Sequence, residues 1–283
     1  MRVAPPGERH PARLDPAGSA LLTATAFALL FGIIEGPGYG WGSAAVLGSF
    51  TAAALLTAGF IAHALRAPHP LLDPRLFASA RLRTGTIGVA AVFFGLFALF
   101  FVNSQYLQYA KGYPPLVTGL AILPLPIGII IVSRRSVALA RRAGAGIIVP
   151  AGLALIAGGL TALSFVTSAT PYPHYALALL AISAGMGLSV PALSTGIMTS
   201  LPPARVGMGS GLNSAAREIG SALGVAVVGS VLSSQFASAL PSSLHGQADS
   251  VSQALSSAQR LGTAVHAQAV SDFTTARWQP ATG

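Results

Sequence analysis

Residues 143–204 read AGAGIIVPAGLALIAGGLTALSFVTSATPYPHYALALLAISAGMGLSVPALSTGIMTSLPPA, an interval with no Asp, Glu, Lys or Arg. One bilayer crossing takes about 20 apolar residues, so the interval holds two, expected as helices over 147–167 and 174–199. A soluble core needs no uncharged run of this length. Working outward on the same grounds, with charge, Pro and Gly as boundaries, predicts further helices over 17–35, 44–64, 86–108, 115–133 and 208–234. The fold class expected is all-α, a polytopic membrane bundle of about seven transmembrane helices.

Composition agrees. Charged residues make up 8% of the chain and hydrophobic ones 53%, with a mean hydropathy of +0.68, whereas soluble domains carry about 25% charge. A net charge of +9 suggests nucleic acid, but such a reader clusters its basic groups on one soluble face. Here they sit in short gaps between apolar runs, so no nucleic acid is expected. The chain has no cysteine, which excludes disulfides and thiolate chemistry. Its histidines, at positions 10, 63, 69, 174, 245 and 266, show no ligand spacing. No metal, no cofactor and no enzymatic constellation is expected.

The arginines also give an orientation. Arg2, Arg9 and Arg13 precede the first helix; Arg66, Arg75, Arg81 and Arg83 fill the second gap; Arg134, Arg135, Arg141 and Arg142 the fourth; Arg205 the sixth. Positive charge stays on the cytoplasmic side, which makes residues 1–16 cytoplasmic. The apolar stretch that follows them exceeds a signal-peptide core and reads as a retained first helix. Residues 65–85 form a basic cytoplasmic linker whose Leu71–Phe77 segment lies in the interface. Residues 235–283 form a polar tail outside, within which 251–270 is either an amphipathic helix or disordered.

Arg217-Glu218 is the adjacent charged pair well inside a span, where each charge costs about 2.5–3.5 kcal/mol at mid-membrane. Steps of three and four place Gly209, Asn213, Arg217, Gly220 and Gly224 on one face, with Ser214, Glu218 and Ser221 beside it. The glycine pair permits close helix approach. One reading makes this a polar element of a solute pathway or gate. The other moves the helix one turn toward the cytoplasm, with Arg217 snorkelling and Glu218 paired locally. Asn103 and Gln105 are candidates for an outer vestibule, whereas Tyr109 and Tyr113 suit an interfacial belt. Pro124, Pro126, Gly185, Gly187 and Pro191 are candidate packing or kink positions. Glu35, at the outer end of the first helix, is read as a solvated carboxylate.

Four segments together resemble the fourteen-helix drug:proton antiporter branch of the major facilitator superfamily. They are Gly32-Ile33-Ile34-Glu35-Gly36-Pro37 with Gly40-Trp41; Pro70-Leu71-Leu72-Asp73-Pro74-Arg75-Leu76-Phe77; Tyr106-Leu107-Gln108 with Gly112-Tyr113-Pro114 and Gly119 to Pro124; and Gly209 to Gly220 running on to Gly224-Val225-Ala226. The resemblance covers residues 12 to 235. It implies a partial major facilitator fold in a bacterial plasma membrane. Residues 17–64 match two central helices and 86–234 five helices of the C-terminal bundle, with the family's first six helices and its last one not represented. Arg141, Arg142 and Gly144 match a cytoplasmic loop motif in which Arg141 stands where an acidic residue is usual.

The function implied is proton-coupled efflux of small amphipathic or cationic compounds across membrane lipid. Because alternating access rocks one half against another, a partner is expected, for instance a separately encoded N-terminal half. The alternative is a non-transporting truncated membrane protein or interaction module. A seven-span sensor rests on helix count alone.

Overall fold

A computed structural model describes residues 15–68, 70–167, 170–202 and 206–239. Among them are eight α-helices and no strand. Seven spans are long and apolar enough to cross a membrane. The first is α1 (Pro16–Tyr39), started by Asp15, whose carboxylate accepts from the Gly18 N–H at 2.8 Å. Pro16 fits the first helical turn, where its missing N–H would have had no partner. Gly40, at φ +85°, turns the chain. Ser43 then caps α2 (Ala44–Arg66) by accepting from Val46 N–H.

Asp15 also ties three segments together. Its carboxylate lies 2.9 Å from His63 Nε2 near the end of α2, and accepts from the Leu71 N–H in the following linker at 3.0 Å. Hydrogen bonds from Gly18, His63 and Leu71, in that order of weight, lower its pKa to about 2. The α1/α2 hairpin and the linker are thereby clasped at one end of the bundle.

The linker is shorter than the sequence suggests. A single 3-10 turn, Pro74–Ala78, capped by Asp73, leads into α3 (Ala80–Gln105), which starts several residues before the expected boundary. Arg81 and Arg83 extend the helix past its apolar part, since long basic side chains reach the interface while their backbone stays helical. A π-helical turn, Tyr106–Ala110, follows. The fourth span is two helices, α4 (Pro115–Ile122) and α5 (Pro124–Ala143), broken where Pro124 offers no N–H. Arg134, Arg135, Arg141 and Arg142, expected in a gap, lie on α5 itself. Gly144, at φ +87°, is the whole turn to α6 (Ala145–Ser164).

The last spans are α7 (Tyr172–Thr199) and α8 (Val206–Ala239). Residues 235–239, expected in the polar tail, are therefore helical. Residues 1–14, Arg205 and the tail from 240 on lie outside the described residues, as do the expectations placed on them. In α7, 56% of the apolar stretch is buried against 33% or less in the other spans, so α7 is the axis. It packs on α3, α5 and α6, α3 also runs along α8, and α1 leans on both α2 and α8. Ser230 donates to the Ile33 carbonyl across the α1/α8 contact. Outward-facing Phe27, Leu55, Ile131 and Leu177 leave an apolar exterior suited to lipid.

Candidate functional site

The contact between α3 and α8 is made by backbone. A Cβ built on Gly220 would collide with the Ala90 carbonyl, and one on Gly224 with the Phe94 carbonyl, so only glycine allows this approach. The approach also brings the residue one turn before Gly220 against α3. Arg217 lies over the Phe93 ring of α3, with 4.6 Å from guanidinium carbon to ring centroid, a cation–π contact.

Arg217 stands ten residues into the 28-residue span Gly207–Ser234, about 15 Å from its start at 1.5 Å per residue. Both Arg217 and Glu218 are exposed on the bundle surface. The ion pair among the described residues is Asp15–His63, and Arg217 has a ring rather than a carboxylate beside it. Ser221 donates back to the Arg217 carbonyl at 2.7 Å.

The stripe drawn on α8 divides in space. Gly209 meets Leu201 and Met198, and Asn213 accepts from Ser194 of α7 through its Oδ1 at 3.0 Å. Gly220 and Gly224 instead face α3. Asn213 thus bridges helices, while Arg217 and Glu218 point outward. Neither Phe93 nor Ser194 stood out in the sequence, where a Phe in an apolar run and a Ser in a helix are both common.

Asn103 and Gln105 also separate, because residues two apart on a helix diverge by about 200°. Asn103 is buried, 3% exposed, and lines a cavity of about 470 Å³ with Leu99, Tyr106, Leu163 and Tyr175. Gln105 is half-buried and outside that lining. Above it Tyr106 donates to the Thr167 carbonyl at 2.7 Å and Lys111 to the Thr170 carbonyl at 2.6 Å, fastening the loop before α7. Tyr109 and Tyr113, the expected belt residues, are half-buried at this end.

The remaining candidates have structural positions. Pro124 marks the α4/α5 break and Pro126 lies exposed in the first turn of α5. Pro191 lies inside a continuous α7. Gly185 and Gly187 form packing notches there, against Gly152 and Ile156 of α6 and Val132 and Ser133 of α5. Arg141, Arg142 and Gly144 end α5; Arg141 borders a second cavity and Arg142 does not. No cluster of potential metal ligands occurs among the described residues.

A helical bundle with seven spans of membrane-crossing length and an apolar exterior defines a multi-pass membrane protein. No family model matches the chain. It is 34% identical over 231 residues to multidrug resistance protein Stp of Mycobacterium tuberculosis, covering 81% of this chain and 42% of that protein. It is 34% identical over 157 residues to the tetracenomycin C resistance and export protein of Streptomyces glaucescens, covering 56% and 29%. It is 28% identical over 228 residues to the methylenomycin A resistance protein of Streptomyces coelicolor, covering 80% and 48%.

The chain belongs to the major facilitator superfamily. It spans less than half the length of these relatives.

Proposed function

We propose that this chain forms part of an efflux permease that exports small amphipathic or cationic compounds in exchange for protons. The observation that carries the reading is the exposed Arg217-Glu218 pair within the apolar span of α8. A charge facing lipid at mid-membrane costs about 2.5–3.5 kcal/mol, so in this reading that face borders water or another polypeptide. Transporters of this kind place their route between two bundles that rock against each other. In this reading α8 faces the route, Glu218 and Arg217 act as a polar gate with Asn213 anchoring the helix to α7, and a second helix bundle completes the pathway. Asn103 and Gln105 serve the outer half. The names of the relatives, which refer to multidrug resistance and to export, support efflux of small compounds.

The arginine-rich end of the bundle is cytoplasmic in this proposal, which puts residues 1–16 and the linker inside and the tail outside. Dye efflux from bacterial cells tests the function. Cells expressing the chain with a separately encoded six-helix half are expected to export the dye, and Arg217→Ala or a protonophore to abolish export. Absence of efflux with and without that half, despite membrane insertion, would refute it.

A further inference from the structure

Three contacts fix how α3 and α8 run beside each other. A Cβ on Gly220 would meet the Ala90 carbonyl, one on Gly224 the Phe94 carbonyl, and one on Gly229 the Phe101 ring. The residue numbers rise together, so the helices are parallel, and the residue of α3 level with Arg217 is Ile87. Yet the ring under the guanidinium belongs to Phe93, six positions farther along, about 9 Å at 1.5 Å per residue. The ring recovers part of that distance, because side chains lean toward the start of their helix. The stem of Arg217 spans the rest, running toward the Asn103 end of α3 and away from Arg81 and Arg83.

That direction is opposite to the one a membrane arginine takes by itself. Arg217 is nearer the start of the span Gly207–Ser234 than its end, and a free stem snorkels to the nearer surface. Among the described residues no carboxylate pairs with it, and Ser221, one turn on, donates to its backbone carbonyl. The ring is what holds the guanidinium. The contact and the glycines that produce it lie wholly within α3 and α8, so it does not depend on what else covers α8.

We propose that Phe93 is a positioning residue whose ring holds the Arg217 guanidinium within the apolar span, turned away from the nearer membrane surface. In transport this role rests on the reading of Arg217 as part of a gate, and Phe93 then sets where along the route the positive charge stands.

Site-resolved labelling of the full chain in detergent micelles tests the position without transport. The water-soluble guanidinium reagent p-hydroxyphenylglyoxal, with peptide mass spectrometry as the readout, should modify Arg217 at least about tenfold more slowly than Arg142, a difference of about 1.4 kcal/mol. Arg142 is exposed in the last turn of α5 and serves as the internal reference in every variant. Phe93→Leu should raise the Arg217 rate at least about fivefold, whereas Phe93→Tyr, which keeps the aromatic face, should leave it slow. Phe97→Leu removes a ring one turn along α3 and should change nothing. An unchanged rate in Phe93→Leu overturns the proposal, as does equal acceleration by Phe93→Leu and Phe97→Leu, which would mark loosened packing. Dye efflux with the second bundle separates this inference from the gate reading. If the parent exports no dye while the labelling pattern holds, the gate fails and the position of Arg217 stands; if it exports dye but Phe93→Leu labels no faster, the position fails and the gate stands. Where both hold, Phe93→Leu should lower maximal export several-fold at an unchanged half-saturating dye concentration, and Phe93→Tyr should restore it.

Discussion

Replacing Gly220 by alanine adds one methyl group where the structure has no room for it. That carbon would stand 2.9 Å from both the carbonyl carbon and the Cα of Ala90, and closer still to the carbonyl oxygen. Ordinary contact begins at 3.4 Å, so α3 and α8 must separate by at least about half an ångström, and backbone cannot rotate away as a side chain tip can. Overpacking of this kind costs typically 1–3 kcal/mol. With backbone as the obstacle we expect about 2 kcal/mol, roughly a thirtyfold change in the folding equilibrium.

Gly211→Ala on the same helix supplies the control. Nothing lies within 4 Å of its added carbon, and alanine is favoured over glycine in a helix interior by about 0.5–1 kcal/mol. Reversible unfolding of the full chain in mixed micelles, followed by circular dichroism, should place Gly220→Ala below the parent and Gly211→Ala at or above it. If the two variants unfold within about 0.5 kcal/mol of each other, the α3/α8 backbone contact is not as described.

Other residues give independent tests. The folded-state pKa of Asp15, about 2, lies below its ordinary 3.8, so its contribution is complete above the ordinary value and is lost as pH falls toward 2. The stability gap between the parent and Asp15→Asn, read from melting temperatures across pH, should be constant near neutrality and close through that acid window; a gap that widens on acidification would be the wrong sign. Tyr106→Phe removes the donor to the Thr167 carbonyl and should cost about 1 kcal/mol, with faster amide exchange around that loop as the readout. Ser194→Ala leaves Asn213 Oδ1 without its partner from α7, and should destabilise by about 1–2 kcal/mol in the same unfolding assay; an unchanged midpoint would deny that the pair links the helices.

The seven spans were legible because crossing lipid demands length and low charge, which a sequence states directly. Their ends were less so. Arginine side chains reach the interface from a helix that continues beneath them, which is why α3 begins at Ala80 and α5 carries Arg134 through Arg142. The periodicity of α8 brought Gly220 and Gly224 to one face, but not which helix that face would meet. Phe93 under Arg217, Ser194 on Asn213, and the clasp of Asp15 with His63 join residues far apart in the chain. No local pattern encodes such pairs. The divergence of Asn103 from Gln105, by contrast, follows from helix geometry alone.

The account turns on whether the exposed face of α8 borders an aqueous route. The chain has no cysteine, so single substitutions report accessibility without a background. Glu218→Cys and Ser214→Cys should react with a membrane-impermeant maleimide in cell-derived vesicles containing the second bundle, and excess substrate should slow them. Ile131→Cys, on the lipid-facing exterior, should stay unreactive. Labelling of Glu218→Cys no faster than that of Ile131→Cys would contradict the account.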